Sequence, residues 1–304
     1  MLFRRVYLSQ FHLNIIILFL ILFLGSCRAN RQIVEWKTEA DTAFEQQEYE
    51  IALQQYEKII DIQKAKDELP EPDIKRKAGL SAFNTGNNDL AADYLMDLRN
   101  TEHATRDVYY ALAIINQEID NLSLEISALE NYVNNYPEGK HIDELKPRLL
   151  ETYVESKNYS KALVLWEELP SGTRESESML NHYFVINKKL DREKDARKTA
   201  KDILNENPEH REAMEYMADH YFWKAEHRYQ KEMKAYEKNR TTKQYRQLLD
   251  AFEILNTDFR KSLNYYLKLY EMDPDPKYAR FIGNIYLRYD DKKKARYYHE
   301  KAGI

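Results

Sequence analysis

The chain has 304 residues, with 7 glycines, 8 prolines, 24 tyrosines and a formal net charge of −5. So few breakers among so many helix formers exclude a β-rich body and point to an all-helical one. The single cysteine, Cys27, excludes an internal disulfide, and the acidic balance argues against a nucleic-acid binder.

In chain order, the first element is a short apolar run, 15–24, preceded by Arg4 and Arg5 with no acidic residue. A basic start, a short apolar stretch and small residues at a cut site make a secretory signal. Ten residues are too few to span a bilayer as a helix, which takes about 20. Gly25-Ser26-Cys27 follows directly and resembles the lipobox of bacterial lipoproteins. That resemblance implies cleavage before Cys27 and acylation of its thiol and new amine, an anchor that several acyl chains make stable. The expected organisation is a signal peptide over 1–26, a lipidated tether over 27–32 and a repeat body over 33–304. Loss of Arg4 and Arg5 takes the charge from −5 to −7. The next residues, Arg28-Ala29-Asn30-Arg31, lack the aspartate that retains some lipoproteins in the inner membrane. By those sorting rules the chain is expected on the outer membrane of a Gram-negative envelope, facing the periplasm.

Small residues then recur through the body. Ala52, Ala91, Ala128, Ala162, Ala196, Ser262 and Ala295 sit early in apolar helical stretches, at spacings of 39, 37, 34, 34, 66 and 33. The residues around them repeat as well. The first copy has Trp36, Ala40, Phe44 and Tyr56, the second Gly79, Phe83 and Gly86, the fourth Tyr153, Tyr159 and Trp166, and the last Gly283 and Tyr286. A period near 34 with this alternation of small and large residues resembles the tetratricopeptide repeat, a helix-turn-helix unit that stacks into a solenoid. The resemblance implies an all-α, right-handed solenoid of about seven helix pairs. The third copy can be drawn in two registers, and Pro137 fits the one that does not use Ala128.

The spacing of 66 equals one repeat plus 32 residues. No breaker occurs from about His210 to Asn239, and a second helical pattern runs from about Thr242 to Tyr270. Both helices of the sixth repeat are therefore expected to be long, forming a projecting arm over about 222–259. Phe222, Tyr229 and Tyr236 on one side, and Tyr245, Leu249, Phe252 and Phe259 on the other, suit an antiparallel coiled-coil seam. From Lys224 to Arg246 there are eight Lys or Arg and three Glu, a net of +5, which leaves −12 on the rest of the mature chain. Lys238, Arg240, Lys243 and Arg246 concentrate the basic charge at the tip and are candidate partner contacts.

Catalytic signatures are missing from the sequence. None of the eight histidines forms a His-Glu-x-x-His pair, and there is no Gly-x-Ser-x-Gly elbow. No enzyme activity, metal, cofactor, small-molecule substrate or nucleic acid is expected. The repeat family binds extended peptides or helices in the groove lined by its first helices. Carried across, the groove positions include Lys37, Asp41, Phe44, Arg76, Leu80, Phe83, Glu151, Val154, Asp219, Phe222, Trp223, Arg280, Asn284 and Arg288. The expected role is a membrane-anchored scaffold that joins other proteins of an envelope assembly, secretion or motility complex. The alternatives are a chaperone-like holder of extended exported chains and an activator of an envelope enzyme. A partly apolar edge is also expected at Ala295, Tyr298 and His299.

Overall fold

The computed structural model describes residues 31–304. The expected signal peptide, Cys27 and most of the expected tether lie outside them. The described residues form helices joined by short turns, and no helix among them is long and apolar enough to cross a membrane. The described residues divide into two compact units, the first ending at Thr152 and the second spanning Tyr153–Ile304.

In the first unit α1 (31–45) pairs with α2 (Tyr49–Ala65), α3 (Pro72–Asn84) with α4 (Asn88–Leu95), and α5 (Arg106–Glu118) with α6 (Leu122–Asn135). The unit boundary falls inside α7 (Ile142–Glu155). In the second unit α8 (Tyr159–Glu168) and the single turn α9 (Ser171–Arg174) precede three pairs. These are α10 (Glu177–Lys189) with α11 (Glu193–Glu206), α12 (Arg211–Lys238) with α13 (Thr242–Met272), and α14 (Pro276–Arg288) with α15 (Lys292–Lys301).

One turn recurs six times. Gln47, Gly86, Asp120, Lys157, Asp191 and Asp290 all have positive φ, between 53° and 79°. The next residue in each case donates its amide to a carbonyl five residues back, as Glu48 does to Ala43 and Arg192 to Asn187. That is the wide hydrogen bond by which a left-handed residue closes a helix. The same residue begins the following helix, and four positions later lies a buried side chain: Ala52, Ala91, Glu125, Ala162, Ala196 or Ala295. A methyl group there lets paired helices approach closely. Five of the six left-handed residues carry a Cβ, which disfavours this conformation. Lys157→Gly is therefore expected to raise the unfolding free energy by about 1 kcal/mol, measured as a higher urea midpoint. An unchanged or lower midpoint would show that Lys157 is not strained.

The register of the third pair differs from the alanine count. Its slot holds Glu125, not Ala128, which lies a turn further on. The spacings become 34 and 37 in place of 37 and 34, as Pro137 suggested. A carboxylate fits in an alanine position because Arg148 of α7 reaches it, Nε to Oε1 at 2.7 Å and Nη2 to Oε2 at 3.1 Å.

The long hairpin is present, with helices of 28 and 31 residues where the pairs on either side of it use 10 to 14. Three aromatic rungs cross its seam: Phe222 on Phe259 at 5.8 Å, Tyr229 on Phe252 at 6.0 Å, and Tyr236 on Tyr245 at 5.9 Å. Seven-residue steps in opposite directions keep each ring opposite its partner, as an antiparallel seam requires. Leu249 is not part of it. It is exposed, and the inward position belongs to its neighbour Leu248. Nor is the whole span 222–259 free. Phe222 and Phe259 are buried in a core shared with Phe281 and Ile282 of α14. Only the part beyond Tyr229 and Phe252 stands clear of α14 and α15.

The expected apolar edge at the last helix is also different. Ala295 is buried, Tyr298 stacks on Tyr286, and His299 accepts or donates a bond with Asn284 while filling the space over Gly283. Tyr297 is the exposed ring there.

Candidate partner-binding face

The first helices of the last three pairs, α10, α12 and α14, place the candidate site. Phe222 faces the core, packing edge-on against Phe281 at 4.8 Å. The next residue is turned by about 100° on a helix, so Trp223 emerges at the surface, 48% exposed. Its ring meets Phe281 edge-on at 6.3 Å and lies 5.9 Å from His227.

Trp223 stands between two cavities and lines both. One, of about 530 Å³, is walled by Asn187, Tyr216, Asp219, His220, Lys224 and His227 among others. The other, of about 520 Å³, is walled by Gln230, Arg280, Phe281, Asn284, Leu287 and Arg288, with Glu226. A half-exposed indole between two hollows is a pre-formed apolar anchor point.

Electrostatics differ between the hollows. In the first, burial pushes the Asp219 carboxyl up, although the Tyr266 hydroxyl donates to it and opposes the shift. Burial, then Arg197 and Lys224, push the His220 imidazole down. Lys188 is paired with Glu212 at 2.6 Å and Lys224 with Asp258 at 2.9 Å. Asn187 is fully buried. Its Nδ2 donates to the Tyr183 carbonyl at 2.8 Å, and its Oδ1 has no partner. In the second hollow Arg280 lies over the Phe281 ring at 5.5 Å and forms no ion pair among the described residues.

Four predicted contacts thus meet in one place: Trp223, Arg280, Asn284 and Arg288. Two of them are occupied internally. Arg288 donates Nε to Glu226 Oε2 at 2.9 Å and Nη2 to Oε1, and its guanidinium lies 4.2 Å from the Tyr229 ring centre. It fastens α14 to α12. Asn284 Oδ1 is held 3.0 Å from the His299 ring. The surface offered to a ligand is therefore Trp223, Leu287 and Arg280.

Elsewhere the carried-over groove positions divide. Leu80 and Phe222 are core residues. Asp41 is shared by Tyr56, Lys77 and Lys37; burial would raise its carboxyl, but these partners bring it below the usual carboxylate range. Glu151 is paired with Arg148. In the first unit Phe44 is half-buried against Tyr49 with Lys77 above it, and Phe83 packs edge-on to Tyr110. Lys238, Arg240, Lys243 and Arg246 sit away from the Trp223 face, at the hairpin tip, and all are exposed. Asn187 and Leu287 were not singled out by sequence. Nothing in the pattern marks them, since burial and cavity walls depend on neighbouring helices. No group of three His, Cys, Asp or Glu among the described residues could hold a metal ion.

No protein-family model matches the chain, and no curated protein matches it. Among solved structures it is similar to a candidate protein-binding protein from Bacteroides ovatus ATCC 8483, at 20% identity over 73% of this chain and 99% of that one, with a TM-score of 0.49. It is similar to the C-terminal part of a TPR repeat-containing protein from Cytophaga hutchinsonii, at 16% identity over 86% and 92%, with a TM-score of 0.43. A tetratricopeptide repeat protein from Parabacteroides merdae ATCC 43184 matches at 13% identity over 90% and 93%, with a TM-score of 0.38. The repeat assignment rests on the chain's own geometry. By its recurring left-handed turn, its buried slot four residues into the second helix and its antiparallel helix pairs, the chain has the fold of a tetratricopeptide-type helical repeat.

Proposed function

We propose that this chain is an exported, non-catalytic scaffold that receives an extended segment of a partner protein on the face of α10, α12 and α14. The observation that carries this reading is Trp223, exposed on a ridge between two open hollows of similar size. Aromatic residues in such settings are the usual anchors of protein interfaces. An apolar or aromatic side chain of the partner fits the Trp223–Leu287 side, with a carboxylate toward Arg280. Support for export and anchoring comes from sequence: the basic start, the apolar run 15–24 and Gly25-Ser26-Cys27. On that basis the protein is held by acylated Cys27 on the periplasmic side of the outer membrane, within an envelope assembly, secretion or motility complex.

Crosslinking capture from native membranes tests the face. Trp223→Ala is expected to weaken recovery of a stoichiometric partner set by about 30-fold or more, the loss typical of an aromatic hot spot, with unchanged helicity and melting. Equal recovery by both forms would remove the face from consideration. A broad range of exported chains, in place of a defined set, would replace the scaffold by a holding role.

A further inference from the structure

The tip of the long hairpin is a separate feature from the Trp223 face, and the geometry points to a second contact made there: docking on an anionic bilayer surface. Between positions 233 and 249 lie Lys234, Lys238, Arg240, Lys243 and Arg246, against the single acid Glu237, a net of +4. All five cations are exposed. None forms an ion pair among the described residues, whereas Lys224, nearer the base, is paired with Asp258. The tip thus carries an excess of exposed positive charge that no carboxylate of the described residues offsets.

Their arrangement favours a flat, extended anion over a protein groove. Lys238 ends α12, Arg240 lies in the turn, and Lys243 and Arg246 fall within the first turn and a half of α13. The charges therefore surround the end of the hairpin, where a surface met end-on engages them together. A groove in a partner protein would need them along one flank. Tyr245, 48% exposed, adds a ring of the kind that settles at headgroup level. α14 reaches the hairpin at Tyr229, where Arg288 stacks, and Tyr289 just beyond it reaches Asn256, whose carbonyl accepts from the Tyr289 hydroxyl at 3.2 Å. From Tyr229 to the end of α12 are nine residues, a reach of about 13 Å. Lipid phosphates attract each exposed Lys or Arg about fivefold near the surface, so four cations together supply several-hundred-fold partitioning.

The inference does not depend on acylation of Cys27, and the test keeps the two apart. The full-length chain carrying Asn239→Cys, labelled with a fluorophore, is mixed with phosphatidylcholine vesicles containing brominated lipid, with and without phosphatidylglycerol. The chain labelled without Asn239→Cys serves as the control for Cys27. Flotation reports association, and quenching reports the tip. Quenching is expected only with phosphatidylglycerol, and is expected to be lost at high salt and in the Lys238→Glu, Arg240→Glu, Lys243→Glu, Arg246→Glu variant. The substituted side chains are solvated, so unchanged helicity is expected to show that this variant is folded. Chain that floats with an unquenched tip, or quenching equal on neutral and anionic vesicles, overturns the proposal, as does no association with either. Flotation that needs both phosphatidylglycerol and the basic tip, in chain recovered from membranes, upholds the tip contact while removing the lipid anchor. Capture of an acidic protein by an unquenched tip would reassign the cations to that partner.

Discussion

Arg148→Met is expected to lower the unfolding free energy by about 3–5 kcal/mol, the cost of leaving a buried carboxylate without its partner. Glu125 is 2% exposed and receives two hydrogen bonds from the guanidinium. Methionine keeps much of the arginine stem's packing, so the loss reports the charge. The more telling variant is the double one. Glu125→Ala with Arg148→Met restores the small side chain used at this slot in the other five repeats, and should fall within about 1 kcal/mol of the parent. Glu125→Ala alone should cost less than Arg148→Met, because Arg148 keeps Glu151 at 3.2 Å. Urea unfolding with an unchanged slope checks all three. A single-variant loss under about 1 kcal/mol would mean that water reaches Glu125. A double variant as weak as Arg148→Met would mean that the slot itself has been reshaped around the pair.

Arg288→Ala is expected to cost about 2–4 kcal/mol at neutral pH and to loosen α14 from the long hairpin. Glu226 has an 8% exposed side chain, and Arg288 meets it with two nitrogens while covering the Tyr229 ring. Arg288→Lys should recover only part of the loss, since an ammonium cannot reproduce the planar two-point contact. The pH dependence gives the sign. Burial alone would raise the Glu226 carboxyl, but hydrogen bonds from Arg288 and Gln230 and the guanidinium charge carry it below its ordinary value. The folded state thus binds this proton less readily than the unfolded chain. Its contribution is complete above the unfolded carboxylate range, near about pH 4.3, and is lost as pH falls through the folded value. In Arg288→Ala the same carboxyl is buried without a cation, and its affinity for protons rises. The stability gap between parent and variant should therefore narrow from about pH 7 to about pH 4. Thermal melts across that range measure it, and a constant gap would show that Arg288 acts through packing on Tyr229 alone.

Much of the architecture was legible in the chain because helical packing writes itself as period. Alanines at intervals near 34 marked the pairs, and the interval of 66 marked the long hairpin. Rings seven apart on both sides of Asn239 pointed to an antiparallel seam, and the structure pairs them as Phe222–Phe259, Tyr229–Phe252 and Tyr236–Tyr245. Three things needed the third dimension. The third repeat hid its register, because a glutamate occupies the alanine slot and its neutralising arginine lies 23 positions later on another helix. The turns between paired helices were unmarked, because Gln47, Asp120, Lys157, Asp191 and Asp290 hold a left-handed conformation that usually announces itself as glycine. The charges of the binding face were misleading on their own. Arg280 and Arg288 look alike in sequence, yet Arg288 is consumed by Glu226, 62 residues away, while Arg280 is left open beside Trp223. Spacing along a helix determines which side a residue takes, and so the sequence by itself determined the helix pairs, the long hairpin and the basic tip. Whether a charge on that side is free depends on what another helix brings opposite it, and that only the tertiary structure decided.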